Sequence, residues 1–138
     1  MEPALRPLLV VEGELDALVA AAPGKIVAIL ITHAHPDHTG GAHRLAERLN
    51  IPIHAYPLEL QGVRDKDFAA HRPLYHGDVI DLDTVCLEAI HTPGHAADHL
   101  CFFWRDAGLL FAGDTVMADV TVVILPPDGD MSAYMQSL

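Results

Sequence analysis

Three of the chain's ten histidines and one aspartate fall within six positions of the stretch Ile31 to Gly41, ITHAHPDHTGG. Imidazole nitrogens and carboxylate oxygens are what a protein offers a borderline divalent cation such as zinc. His33 and His35 are two apart. If a strand runs through them, both side chains leave one face and can share an ion. Pro36 prevents a regular ladder from continuing and disfavours helix at His35. Asp37 and His38 are adjacent, so in an extended loop they point away from the first pair and can feed a second metal position. The loop precedes a helix N-terminus, whose positive end suits anionic groups. Gly40 and Gly41 allow close backbone approach there.

Two further clusters have the same character. His91 to His99, HTPGHAADH, follows a strand-like run and turns at Pro93-Gly94. Phe111 to Thr115, FAGDT, is an apolar strand ending in Gly-Asp. A carboxylate at such a strand end can bridge two cations.

These clusters need elements to aim them. Gly13 to Ala22 puts Leu15, Leu18, Val19 and Ala22 on one face, predicting a short helix ended by Pro23-Gly24. Ile26 to Ile31, IVAILI, is a continuous apolar run, as in a strand covered on both faces. Gly41 to Leu49 carries a helical stripe of Ala42, Leu45, Ala46 and Leu49, with Arg44, Glu47 and Arg48 outside it. Pro52 to Tyr56 reads as a short strand. Residues 57–77 read as irregular, with a loop at Asp65 to Asp67. Val79 to Leu82 and Thr84 to His91 are strands separated by Asp83. Leu100 to Trp104 and Leu109 to Ala112 form a hairpin around Arg105 to Gly108. Met131 to Leu138 begins a helix. The order is mixed α/β, with sheet faces that need helices over them.

Composition bounds the function. A chain of 138 residues is one domain that can bury a core without staples. There is no internal repeat, low-complexity tract or linker, and no apolar run long enough to span a membrane. No secretory leader is expected from the opening residues. Cys86 and Cys101 do not form a C-x-x-C pair and lie in apolar strand-like segments, so both are expected as buried, unpaired thiols of a cytoplasmic protein. The net charge of −11 repels nucleic acids and anionic membranes at long range. The expected partner is a small-molecule substrate, with RNA disfavoured by charge. No residue reads as substrate-binding.

Order, spacing and strand context of the three clusters together resemble the metallo-β-lactamase superfamily, which carries H-x-H-x-D-H, then T-P-G-H, then a strand ending in aspartate, then a last histidine. The likeness spans about residues 13 to 138. The tail TVVILPPDGDMSAYMQSL is similar to a bacterial branch related to the lactamase-B-like endoribonuclease of animal mitochondria. The resemblance implies a four-layer αβ/βα sandwich. It implies that His33, His35 and His95 hold a first zinc, that Asp37 and His38 hold a second, and that Asp114 bridges them. A water between the ions would be the nucleophile, oriented by Asp37 as catalytic residue. Asp98 and His99 fit hydrogen-bonding roles behind the ligands. His43, His54, His71 and His76 read as surface or half-buried residues, and His91 as the end of a strand.

The chain also departs from the family pattern. The last metal histidine would lie beyond the helix at Met131, and the family's N-terminal strands have only PLLVVEG, Pro7 to Gly13, as a counterpart. The expectation is therefore one domain over residues 1–138, a partial sandwich incomplete at both ends. Its second zinc would be weakly held, and its open strand edges would favour self-association. Among the residues present, His99 or His91 would be the first candidates to replace the absent ligand. The expected function is a zinc-dependent hydrolase of an ester, thioester, amide or phosphodiester. The alternative is a non-catalytic metal-binding remnant that needs missing segments or a partner chain.

Overall fold

The structure, a computed structural model, describes residues 12–57 and 68–138. The weak strand counterpart before residue 12 and the loop expected at Asp65 to Asp67 lie outside the described residues.

The first helix, α1, spans Glu12–Ala21, one residue earlier than the pattern predicts, and buries Leu15. The strand β1 covers only Ile29–Leu30, not the whole of IVAILI. Its neighbour β2, Ile53–Ala55, pairs in parallel with Ile29 opposite Ile53. The N–H of Ile29 donates to the Pro52 carbonyl. Pro52 has no N–H to return, so the ladder stops there. Val27 is exposed, which corrects the expectation of cover along the whole run. A two-residue strand, β3 at Arg72–Pro73, completes a parallel sheet in the order β1-β2-β3, within a segment that reads as irregular from sequence.

The second sheet is antiparallel, in the order β4-β5-β6-β7. Its strands are β4 (Val79–Asp81), β5 (Cys86–His91), β6 (Leu100–Trp104) and β7 (Leu109–Phe111). The first hairpin turns over Leu82 to Val85, longer than a single Asp83, with Asp83 in the left-handed region at φ 65°. The second turns over Arg105 to Gly108 as predicted, with Gly108 at φ 63°. Strand alternation sends Leu87 and Ala89 inward and leaves Cys86 exposed. The expectation of two buried thiols thus holds for Cys101 and fails for Cys86. Both cysteines are free.

Alternation along β1 also defines the layers. Leu30 packs against Leu74, Ile80, Leu87, Ala89, Leu100 and Phe102, the core of the antiparallel sheet. Its neighbours Ile29 and Ile31 belong with Ala42, Ala46, Ile53 and Ala55, the core under the next long helix. That helix, α3 at Ala42–Leu49, buries Ala42, Leu45 and Ala46 and exposes Arg44, Glu47 and Arg48, as the stripe predicts. The parallel sheet therefore lies between α3 and the antiparallel sheet, an α/β/β stack. The N–H of Leu100 donates to the Thr32 carbonyl at 2.7 Å, joining β6 to the end of β1 where the histidine loop departs.

Pro36–Thr39 forms one helical turn, α2. This corrects the extended loop expected for Asp37 and His38. Pro36 occupies the first helical position, where its fixed φ and missing N–H cost nothing. His35 precedes it in extended conformation, as a residue before proline must. The last helix, α4, spans Met131–Ser137. Asp130 caps it, accepting from the Ala133 N–H at 2.7 Å.

Candidate metal centre

Three chain segments converge at the carboxyl ends of β1, β5 and β7. The loop after β1 brings His33 and His35, and the α2 turn folds His38 back beside them. The loop after β5 brings His95. The turn after β7 brings Asp114. Two compact groups of ligand atoms result: His33, His35 and His95, and His33, His38 and Asp114. Within each, the atoms all lie within 4.8 Å of one another. Asp114 Oδ2 is 3.2 Å from His38 Nε2, 3.4 Å from His95 Nε2 and 3.8 Å from His33 Nε2. One carboxylate oxygen thus faces members of both groups.

Each ring is aimed by what its other nitrogen touches. His33 Nδ1 lies 3.0 Å from the Thr32 hydroxyl. His95 Nδ1–H donates to the Val123 carbonyl at 2.6 Å. His35 Nε2 lies 2.7 Å from Asp128 Oδ2, which leaves Nδ1 as its free ligand atom. The Nε2 atoms of His33 and His95 are buried without a hydrogen-bond partner. Buried polar nitrogens are rarely left so. Directed at one carboxylate oxygen, they fit a divalent cation.

Electrostatics support that fit. Burial, reinforced by the neighbouring histidines, pushes the His33 pKa far down. Its lone pair is therefore available to a metal. Burial would also depress His38, but its contact with Asp114 and the charges of Asp114 and Asp37 outweigh this and raise its pKa. Burial would raise Asp114, yet the His38 contact and the charges of His38, His95 and His99 hold its carboxyl below the usual range. The carboxylate stays ionised.

Asp37 stays outside both compact groups. Its Oδ2 is 3.5 Å from His38 Nε2, and its side chain is 56% exposed. It stands at the open side of the centre.

His99 is fully buried and used up. Its Nε2 accepts from the Asp114 N–H at 3.1 Å, so Nδ1 carries the proton and faces the Thr92 and Thr115 hydroxyls at 2.9 and 3.1 Å. Burial first, then the charge of His95, lowers its pKa to about 3. Asp98 accepts from the Ala34 N–H at 3.0 Å and fixes the turn between His33 and His35. His91 Nε2 bonds the Ala97 carbonyl at 2.9 Å, and its ring stacks on Tyr56. Neither His91 nor His99 joins a ligand group. His43, His71 and His76 each accept from a backbone N–H. The sequence reading missed Asp128, which is buried and sits among prolines and glycine in PPDGD; a carboxylate after an apolar run was its one signal.

Fold and side chains together define a protein of α/β/β layers with a candidate metal site of histidine and aspartate side chains at strand ends. A family model of the metallo-beta-lactamase superfamily matches residues 7–138, and the chain belongs to that superfamily. It is 34% identical over 117 residues to an atrochrysone carboxyl ACP thioesterase of Passalora fulva, covering 82% of this chain and 32% of that protein. It is 40% identical over 112 residues to a hydroxyacylglutathione hydrolase of Hahella chejuensis, covering 80% of this chain and 40% of that one. The chain thus spans about a third to two fifths of these relatives' length. Among solved structures, TTHA1623 in a di-iron-bound form matches with a TM-score of 0.74 and 29% identity, over 90% of this chain and 67% of that one. No helix among the described residues is long and apolar enough to cross a membrane.

Proposed function

We propose that this protein is a metal-dependent hydrolase of thioesters or closely related esters. The observation that carries the reading is the Asp114 carboxylate oxygen, within 3.2–3.8 Å of three histidine nitrogens from two overlapping ligand groups. His33, His35 and His95 would hold one ion; His38 and Asp114, with Asp37 at the open side, would hold a second. When bound, such ions polarise the attacked oxygen and ease ionisation of an attacking water. Asp114 stays anionic and orients His38. Asp37, the exposed carboxylate beside His38, would orient that water and accept its proton. The names of the relatives, a thioesterase and a hydroxyacylglutathione hydrolase, favour a thioester over the phosphodiester suggested by the tail. Zinc suits the donor set. The di-iron form of TTHA1623 makes iron the competing metal. Free thiols fit a reducing cytoplasm.

The competing reading is a non-catalytic metal-binding remnant. Metal content does not separate the two, but turnover does. We expect about one tightly held zinc per chain with a weaker second, and measurable cleavage of an activated thioester. Asp37→Ala is expected to lower turnover by roughly 100-fold or more, as loss of a proton-transfer group does, with the three-histidine site still occupied by elemental analysis. Metal-loaded parent protein without turnover would establish the remnant; undiminished turnover in Asp37→Ala would overturn the role given to Asp37.

A further inference from the structure

We propose that Asp128 is the positioning residue for His35, and that the segment from Val123 to Asp128 acts as an outer brace of the metal centre. The inference rests on the three-histidine site described above.

Asp128 is 6% exposed, and each of its oxygens has a different partner. Oδ2 lies 2.7 Å from His35 Nε2. Oδ1 accepts from the Ala97 N–H at 3.0 Å. One carboxylate thus ties the loop after β1 to the loop after β5, the two loops that carry the three-histidine group. A carboxylate facing Nε2 selects the tautomer with the proton on that nitrogen. Nδ1 is then the lone pair turned to the ion. The same segment serves His95 in the opposite sense: the Val123 carbonyl takes the Nδ1 proton and leaves Nε2 free.

The brace is itself anchored. The Gly129 N–H donates to the Leu125 carbonyl at 2.7 Å, closing a turn over Pro126, Pro127 and Asp128. The Asp130 N–H donates to the Gly94 carbonyl at 2.8 Å. Further on, the Tyr134 hydroxyl donates to the Thr115 carbonyl at 2.9 Å, beside Asp114. Partners behind metal-bound histidines fix ring orientation and raise ligand basicity, and their loss commonly weakens metal binding by about 10–100-fold.

The test measures zinc affinity of the folded chain by competition with a chromophoric chelator. Asp128→Ala is expected to weaken zinc binding by about 10–100-fold. Asp128→Asn keeps the size but offers only one acceptor oxygen for two donors, so it should fall between Ala and the parent. Tyr134→Phe loosens α4, which follows the brace, without touching a ligand; it should lower the unfolding temperature and leave zinc affinity within about twofold. A purely structural Asp128 would behave like that control. A second measurement needs no variant. Long-range proton–nitrogen NMR of the zinc-loaded parent should show His35 protonated on Nε2 and His95 on Nδ1. Zinc affinity unchanged in both Asp128 variants, or a His35 proton on Nδ1, overturns the proposal. A parent that binds no zinc overturns the metal-centre reading itself, and this inference falls with it.

Discussion

Asp114 owes its position to the residue before it. Gly113 has φ 51°, in the left-handed region, and a Cβ built there would lie 2.6 Å from His99 Nε2 and 3.0 Å from the Thr32 side chain. The Gly-Asp pair is therefore one unit: the glycine lets the turn press against His99, and His99 in turn accepts the Asp114 N–H. Gly113→Ala is expected to destabilise the fold by about 1–3 kcal/mol, the range for overpacking a tight site, and to reduce retained metal. Thermal unfolding with elemental analysis after dialysis checks both. A variant as stable and as metal-replete as the parent would show that the turn yields without disturbing His99. At Gly94, φ is 151° and a Cβ would meet the Tyr134 backbone at 2.4 Å. The T-P-G-H turn is thus the seat on which α4 rests.

At the scale of elements, strand register creates pairs that no local pattern reveals. In the parallel ladder His54 of β2 faces Arg72 of β3. Burial, then the Arg72 charge and His71, lowers the His54 pKa from 6.5. A base whose folded pKa is depressed is neutral in the native chain, while the unfolded chain takes up the proton first as pH falls. Stability from this site is present above about pH 6.5 and is lost as pH falls from there towards the folded value. Proton NMR should show His54 titrating below 6.5, and Arg72→Gln should move its midpoint upward. A midpoint at or above 6.5 would mean that the pairing does not hold in solution.

The whole molecule presents two surfaces to test. With 8 Lys and Arg residues against 19 Asp and Glu, it repels polyanions. Titration with single-stranded RNA at physiological salt should show no submicromolar binding. The second surface is β7, at one edge of the antiparallel sheet. Leu109, Leu110 and Phe111 are all exposed, and among the described residues no strand pairs with the outer side of β7. Such an edge can accept a further strand, and we expect the chain to self-associate through it. Sedimentation velocity should show the mean mass rising with concentration, and Leu110→Lys should suppress the rise. A parent that stays monomeric throughout would remove this expectation.

Residue type and short-range spacing marked the stretch His33 to His38 as a candidate metal site, because imidazole and carboxylate are what a divalent cation takes. Its grouping with His95 and Asp114 came from the resemblance to the superfamily, and it is the fold that brings those atoms within reach of one another. The helices at α1, α3 and α4 and the β6–β7 hairpin were legible for a local reason: apolar periodicity and turn residues act over a few positions. Tertiary pairing decided the rest. Pro52, just before β2, stops the ladder on the N-terminal side of β1, an outcome absent from IVAILI itself. The side of β5 that meets the core determines that Cys86 is exposed. The contact between Asp128 and His35 joins residues 93 positions apart. It exists only because the turn after β7, the seat at Gly94 and the end of β1 are packed together. A buried carboxylate distant in sequence has no local signature, since its role comes from the ring it faces once the chain has closed.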